Sequence, residues 1–303
     1  MISIEDEHRH MKTKKLLSLL CLFFAFASVA AARNTAPVVS TEWLQQNLGR
    51  SEITVVDIRT PERYAKEHIP GSINIPTSVL AASRNELTLE LPSDEDLGAL
   101  LGKHGIAASR HIVVVTHTET NLSRWEAMRA AWTFILAGVG DTSVLDGGIT
   151  KWMGEKRPLS IEIPDIRPVV YDGKISRNSA VSKDYVLANL GKSFLADNRP
   201  PEDYFGITSP GHITSAVSVP GAWLFTSSGA LISQASIRKM AESVFGTDKS
   251  REIITYCGIG AASSTWWFIL TQVLDYQNVK VYDGSMEEWI KDQNAPIEAY
   301  RWN

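Results

Sequence analysis

The chain has 303 residues, 44% of them hydrophobic and 21% charged, and carries a formal net charge of −4 at pH 7. That length accommodates two domains of ordinary size. No basic cluster and no interleaving of basic with aromatic residues occurs, so nucleic acid is excluded as a partner class.

The first element is an address. Lys12, Lys14 and Lys15 precede the apolar run Leu16 to Ala27, and Ala30, Ala31 and Ala32 offer small residues ahead of Arg33. This is the layout of a secretory signal peptide, with Met11 as an alternative start. The run is too short for a membrane anchor, and Cys21 lacks the small residues that precede a lipoprotein cysteine. We therefore expect residues 1–32 to be a signal peptide cleaved near Ala32, and the mature protein to be periplasmic, with no membrane attachment. Four Lys/Arg and three Asp/Glu leave with that segment, so the remaining 271 residues carry −5. Cys257 is then the sole thiol, unable to form an internal disulfide.

From Arg33 onward the chain repeats itself. Ile53-Thr54-Val55-Val56-Asp57-Ile58-Arg59 returns as Ser193-Phe194-Leu195-Ala196-Asp197-Asn198-Arg199, and Glu67-His68-Ile69 as Gly211-His212-Ile213. Leu145-Asp146-Gly147-Gly148 through Trp152 returns as Tyr282-Asp283-Gly284-Ser285 through Trp289. The offsets drift between 137 and 144, as loop insertions between shared elements require. Short apolar strands alternate with helical stretches in each copy, the pattern of a parallel sheet covered by helices on both faces. Val113–Val115 and Ile253–Ile254 read as central strands, and Arg129 to Leu136 and Thr265 to Leu274 as helices. Asp57, Asp197 and His212 read as structural polar residues at strand ends. Between the copies, Pro158, Pro164 and Pro168 mark an extended linker.

The stretch Ile253 to Ser264 carries the chemistry. A buried strand ends in Cys257, Gly258 and Gly260 permit a tight turn, and a helix follows, starting near Ser263. Ligands of open α/β sheets bind at such strand ends. Backbone N–H groups converging on the sulfur, with the helix N-terminus behind them, favour the reactive thiolate. A buried structural cysteine is the alternative on these residues alone. Ser263 and Ser264 stand where they could cap the helix.

Strand, cysteine-capped loop, helix and the Tyr282-Asp283-Gly284-Ser285-Met286-Glu287-Glu288-Trp289 segment together resemble the rhodanese family of sulfurtransferases, with Met286 where that family usually has Trp. The resemblance covers nearly the whole chain after residue 32. It implies two tandem rhodanese-like α/β domains, 33–157 and 178–303, joined by a linker over 158–177. It further implies that Cys257 is catalytic, storing sulfur as a persulfide, and that Gly258, Ile259, Gly260, Ala261, Ala262 and Ser263 line the substrate site together with Arg199. For Arg199 a structural role ranks ahead of substrate contact. No cofactor and no metal are implied; the partners are a small sulfur donor and a thiol or cyanide acceptor, or a protein sulfur acceptor.

The first copy has His117 opposite Cys257, in a loop without thiol or glycine, so it is expected to be inactive. The second copy departs from the family in two ways. Thiosulfate-using members carry Arg and Lys at the positions of Gly258 and Gly260, and Asp203 stands where a substrate-binding Arg is usual. Gly258 and Gly260 suit the mercaptopyruvate-using members better, although Ile259 replaces their hydroxyl residue. Thiosulfate should accordingly be a poor donor. Phosphatases of similar fold need Arg six residues after the cysteine, where this chain has Ser263. A non-catalytic sulfur carrier remains the rival to an enzyme.

Overall fold

The computed structural model describes residues 35–84 and 86–300. The signal-peptide expectation falls on residues outside that range. Among the described residues no helix is long and apolar enough to cross a membrane.

The first half contains strands β1 (Val38–Val39), β2 (Ile53–Asp57) and β3 (Ile73–Asn74), the two-stranded hairpin β4 (Ala82–Arg84) and β5 (Leu87–Glu90), then β6 (His111–Val115) and β7 (Thr142–Leu145). The second half adds β8 (Ala180–Val181), β9 (Phe194–Asp197), β10 (His212–Ile213), β11 (Val217–Ser218), β12 (Ile253–Tyr256), β13 (Val279–Tyr282) and β14 (Ile297–Glu298). Two five-stranded sheets result, in the orders β1-β7-β6-β2-β3 and β11-β9-β12-β13-β8. Every pairing in both is parallel. Corresponding strands occupy corresponding places, so the sequence repeat is a repeat of fold.

Alternation along the strands decides what each face packs against. In the first sheet Val56, Ile112 and Val114 face one core, while Val55, Val113 and Val115 face another with Leu44, Ile149 and Trp152. In the second sheet Ile253, Val279 and Val281 face the first of these cores, and Leu195, Ile254, Tyr256 and Trp289 form a third. The core facing Val114 and Val281 is thus shared by both halves. Its centre is the helix Asn121–Ala137 against the helix Ala261–Phe268, with Trp132 and Trp267 ring centroids 6.2 Å apart. Burial of large aromatics on this scale makes the two units one packed body.

The helices differ in extent from the sequence expectation. The first runs over Asn121–Ala137, beginning at a Thr120–Ser123 capping box and ending at left-handed Gly138. The second starts at Ala261, ends as an α-helix at Phe268 and continues as a π turn over Ile269–Val273. No helix or strand forms over 161–179. Val169 N–H donates to Gly102 O (2.9 Å), the Tyr171 hydroxyl to Ala137 O (2.7 Å) and Ser176 N–H to Leu136 O (2.8 Å), which tie this segment to the first unit.

Candidate active site

Strand β12 pairs with β9 in register Tyr256↔Asp197, which sets Cys257 just beyond the carboxyl end of the central strand. The residue is buried, 2% exposed. The Gly260 N–H donates to its sulfur at 3.2 Å, and Ser263 Oγ lies 3.7 Å from the sulfur. The neighbouring loop fixes its backbone. Cys257 N–H donates to Ser285 Oγ (3.1 Å), while Met286 and Glu287 N–H donate to Cys257 O (3.0 Å) and Gly258 O (2.9 Å). Ser285 Oγ itself donates to Tyr282 O (2.9 Å), so the Asp283-Gly284-Ser285 turn acts as a brace under the cysteine.

Three sequence expectations about this loop are corrected. Among the described residues the sulfur receives one backbone N–H, that of Gly260, and not a convergent set. Only Gly260 needs glycine: its φ is +87°, and a Cβ there would lie 2.8 Å from Arg129 Nη1 and 2.9 Å from Asp283 O. Gly258 takes no positive φ, and a Cβ there meets nothing within 4 Å. Ser263 and Ser264 do not cap the helix, whose N-cap is Gly260; they lie in its first turn and donate to Gly260 O at 3.1 and 2.8 Å. The short side chains of Ala261 and Ala262 are buried against the turn, and Ile259 is the exposed residue at its tip, 36% exposed.

Arg199 is elsewhere engaged. Its guanidinium is buried, doubly bonded to Asp197 (Nε to Oδ1 3.0 Å, Nη2 to Oδ2 2.6 Å), and donates to Ser209 Oγ (3.0 Å) and Gly211 O (2.7 Å). Asp197 also accepts from the Tyr256 hydroxyl at 2.7 Å. Arg59 repeats this in the first unit, with Nη2 to Asp57 Oδ2 and to Glu67 O, each 2.7 Å. The repeated His68 and His212 also repeat their contacts, which the sequence did not show: His68 Nδ1 on Tyr64 O and His212 Nδ1 on Tyr204 O, each 2.8 Å, with both ring pairs stacked at 3.9 Å. Asp203 is held by the Thr208 hydroxyl at 2.5 Å.

The expectation that His117 stands opposite Cys257 is corrected by one residue: Val115 pairs with Asp57 as Tyr256 pairs with Asp197, and Ile149 N–H donates to Thr116 O (2.9 Å) as Met286 N–H does to Cys257 O, so Thr116 is the counterpart. His117, one residue further on, lines a polar cleft of about 350 Å³ with Arg59, Arg63, Lys66, Glu67 and Glu119. Among the described residues its buried Nδ1 meets no hydrogen-bond partner. Burial first, and the Arg63 charge second, hold its imidazole below the usual histidine range.

The first unit also reaches the cysteine turn, a feature that sequence reading missed. Leu91 N–H donates to Asp283 Oδ2 (3.1 Å), and in mirror fashion Leu231 N–H donates to Asp146 Oδ1 (2.9 Å). Each unit thus lays a strap on the Asp-Gly turn of the other. Beside Leu91, Thr88 N–H and hydroxyl donate to Glu287 (2.9 and 3.1 Å), and Arg129 pairs with Asp283. Glu90 is pushed up to about 7, chiefly by burial and then by the Asp283 charge, with Arg129 and Arg84 opposing.

Two tandem parallel-sheet units, one presenting a cysteine at a strand-to-helix turn, define a class by architecture. The family profile for the rhodanese-like domain matches residues 40–155 and 182–292. The chain belongs to the rhodanese-like family. It is 30% identical over 275 residues to a Mycolicibacterium smegmatis protein named "Putative thiosulfate sulfurtransferase", spanning 86% of this chain and 97% of that one. A Thermus thermophilus protein named "Sulfur carrier protein TtuD" is 31% identical over 279 residues, 86% of this chain and 95% of that one. The solved structure of an anaerobic ergothioneine biosynthesis enzyme from Chlorobium limicola superposes with a TM-score of 0.76 at 22% identity, over 88% of this chain and 71% of that chain. That likeness is one of fold.

Proposed function

We propose that this protein is a sulfurtransferase that moves a sulfane sulfur from a small donor to a thiol or cyanide through a persulfide on Cys257. The observation carrying this reading is the Gly260 N–H held 3.2 Å from a thiol at the end of the central strand. With thiosulfate as donor, the Cys257 thiolate attacks the sulfane sulfur. The new S–S bond forms as the old one breaks, and sulfite leaves with the electron pair. An acceptor nucleophile, for example the carbon of cyanide, then attacks the outer sulfur. Thiocyanate departs and the Cys257 thiolate is regenerated, with no net oxidation. The Gly260 N–H favours negative charge on the sulfur at both stages and cannot itself titrate. Mercaptopyruvate-type donors would deliver sulfur to the same thiolate. Asp203 and the absence of a cation at positions 258 and 260 support weak saturation by thiosulfate.

Intact-mass measurement tests the reading. Protein exposed to donor gains the mass of one sulfur atom, and cyanide removes it with release of thiocyanate. No such species with thiosulfate or mercaptopyruvate would remove the reading.

The second reading is a sulfur carrier that passes the persulfide to a protein, favoured by the similarity to the Thermus protein of that name. Steady multiple turnover with small donor and acceptor separates the enzyme from the carrier. Export belongs to the same proposal, and a mature N-terminus at Arg33 in a periplasmic fraction is its test.

A further inference from the structure

Arg129 lies in the middle of the helix Asn121–Ala137, in the unit that has no cysteine, and is 4% exposed. Its Nη1 bonds to Asp283 Oδ1 and, at 3.4 Å, to Gly260 O; its Nη2 donates to Leu89 O at 2.6 Å. The guanidinium carbon sits 4.7 Å over the Trp132 ring, which limits its freedom. Gly260 O is also the acceptor of Ser263 and Ser264 Oγ, so three donors gather on the carbonyl of the residue whose N–H meets the sulfur. Asp283 opens the turn whose Ser285 Oγ takes the Cys257 N–H. Arg129 therefore touches both backbone turns that hold the cysteine.

We propose that Arg129 is a positioning residue for Cys257, a guanidinium lent by the first unit to aim the Gly260 N–H at the sulfur. The proposal rests on the sulfurtransferase reading for its purpose, but not for its test. Geometry outweighs charge in this account. A buried cation favours negative charge on the sulfur, yet Arg129 is paired with the Asp283 carboxylate and also interacts with the charge of Glu90. What those carboxylates do not cancel is the fork itself. One planar group holds Asp283 Oδ1 and Gly260 O on Nη1 and Leu89 O on Nη2, and an ammonium cannot reproduce that span. The close packing of Arg129 Nη1 where a Gly260 Cβ would stand leaves that turn little room to shift.

Iodoacetamide alkylation of Cys257 at neutral pH reads the aim of the N–H without any sulfur donor. Folded Arg129→Met should react about tenfold more slowly than the parent, the scale of one lost hydrogen bond to a charged group. Arg129→Lys should fall between the two. A purely structural arginine predicts the opposite sign, because a loosened loop exposes a buried thiol and speeds its reaction. Folded Arg129→Met alkylated as fast as the parent, or faster, overturns the proposal. Should that variant fail to fold, Arg129→Met with Asp283→Asn leaves no unpaired buried charge and carries the same expectation and the same overturning result. If alkylation depends on Arg129 while no persulfide ever forms, the sulfur-transfer reading fails and this one stands.

Discussion

The Gly260 amide reaches the Cys257 sulfur across 3.2 Å only because Gly260 adopts φ +87°, a left-handed conformation at the mouth of a helix. The two glycines of the Cys-Gly-x-Gly turn are therefore not equivalent. Gly260→Val places a Cβ against Arg129 and Asp283 in a conformation costing roughly 1–2 kcal/mol for a residue with a side chain. We expect a loss of stability of about 2 kcal/mol or more in urea unfolding, and slower alkylation of Cys257. Gly258→Ala should stay within about 0.5 kcal/mol of the parent, since its Cβ meets open space. Equal costs at the two positions would contradict this account of the turn.

Cys257→Ser should abolish persulfide formation and thiocyanate release while leaving the unfolding transition in place, because the hydroxyl is the weaker nucleophile. His117→Ala offers the contrast. Its ring has a nitrogen unpartnered among the described residues and sits on the other unit, so sulfur transfer should change less than about threefold, well under the effect of a group that transfers protons in the reaction. Steady-state thiocyanate production by both variants is the measurement. Retained turnover in the serine variant, or its complete loss in the alanine variant, would relocate the chemistry.

The duplicated architecture was legible because the repeat rests on residues with fixed local duties. Asp57 with Arg59, and Asp197 with Arg199, staple the ends of equivalent strands, so their spacing survives in the sequence. Cys257 was legible for a similar reason, standing between a β-branched strand and small residues. Arg129 was not, since nothing in Met128-Arg129-Ala130-Ala131-Trp132 says that this helix faces another unit. Its partners Gly260 and Asp283 lie 131 and 154 residues away. The hairpin β4–β5 and the straps at Leu91 and Leu231 were hidden likewise, because they answer to tertiary contacts. The unequal roles of Gly258 and Gly260 turn on a backbone angle that composition does not encode.

Arg199 supports a prediction that separates its two candidate roles. The same Asp–Arg geometry exists around Arg59, in the unit without the cysteine, which argues that the pair braces a strand end in both places. Arg199→Ala leaves Asp197 buried without its partner and should cost about 3–5 kcal/mol. Arg199→Met with Asp197→Asn should recover part of that loss. A substrate-contacting arginine would behave otherwise, with KM for the donor rising while the urea midpoint stays put. Chemical unfolding and donor saturation curves on the same preparations decide between them.

Glu90 makes the contact between the strap and the cysteine turn sensitive to pH. Its carboxyl titrates at about 7, raised first by burial and then by repulsion from Asp283, with Glu288 adding and Arg129 and Arg84 opposing. The unfolded chain has an ordinary glutamate, so between its usual range and 7 the folded state binds the extra proton. Stability contributed by this group is thus present at low pH and is lost as pH rises through 7. Glu90→Gln removes the titration and keeps the shape. The variant should match the parent near about pH 5 and melt at a higher temperature near about pH 8, where the parent carries an unfavourable buried charge beside Asp283. Thermal melts of both proteins across that range are the check. Parallel curves for parent and variant would show that Glu90 is ionised throughout and that the strap is indifferent to pH.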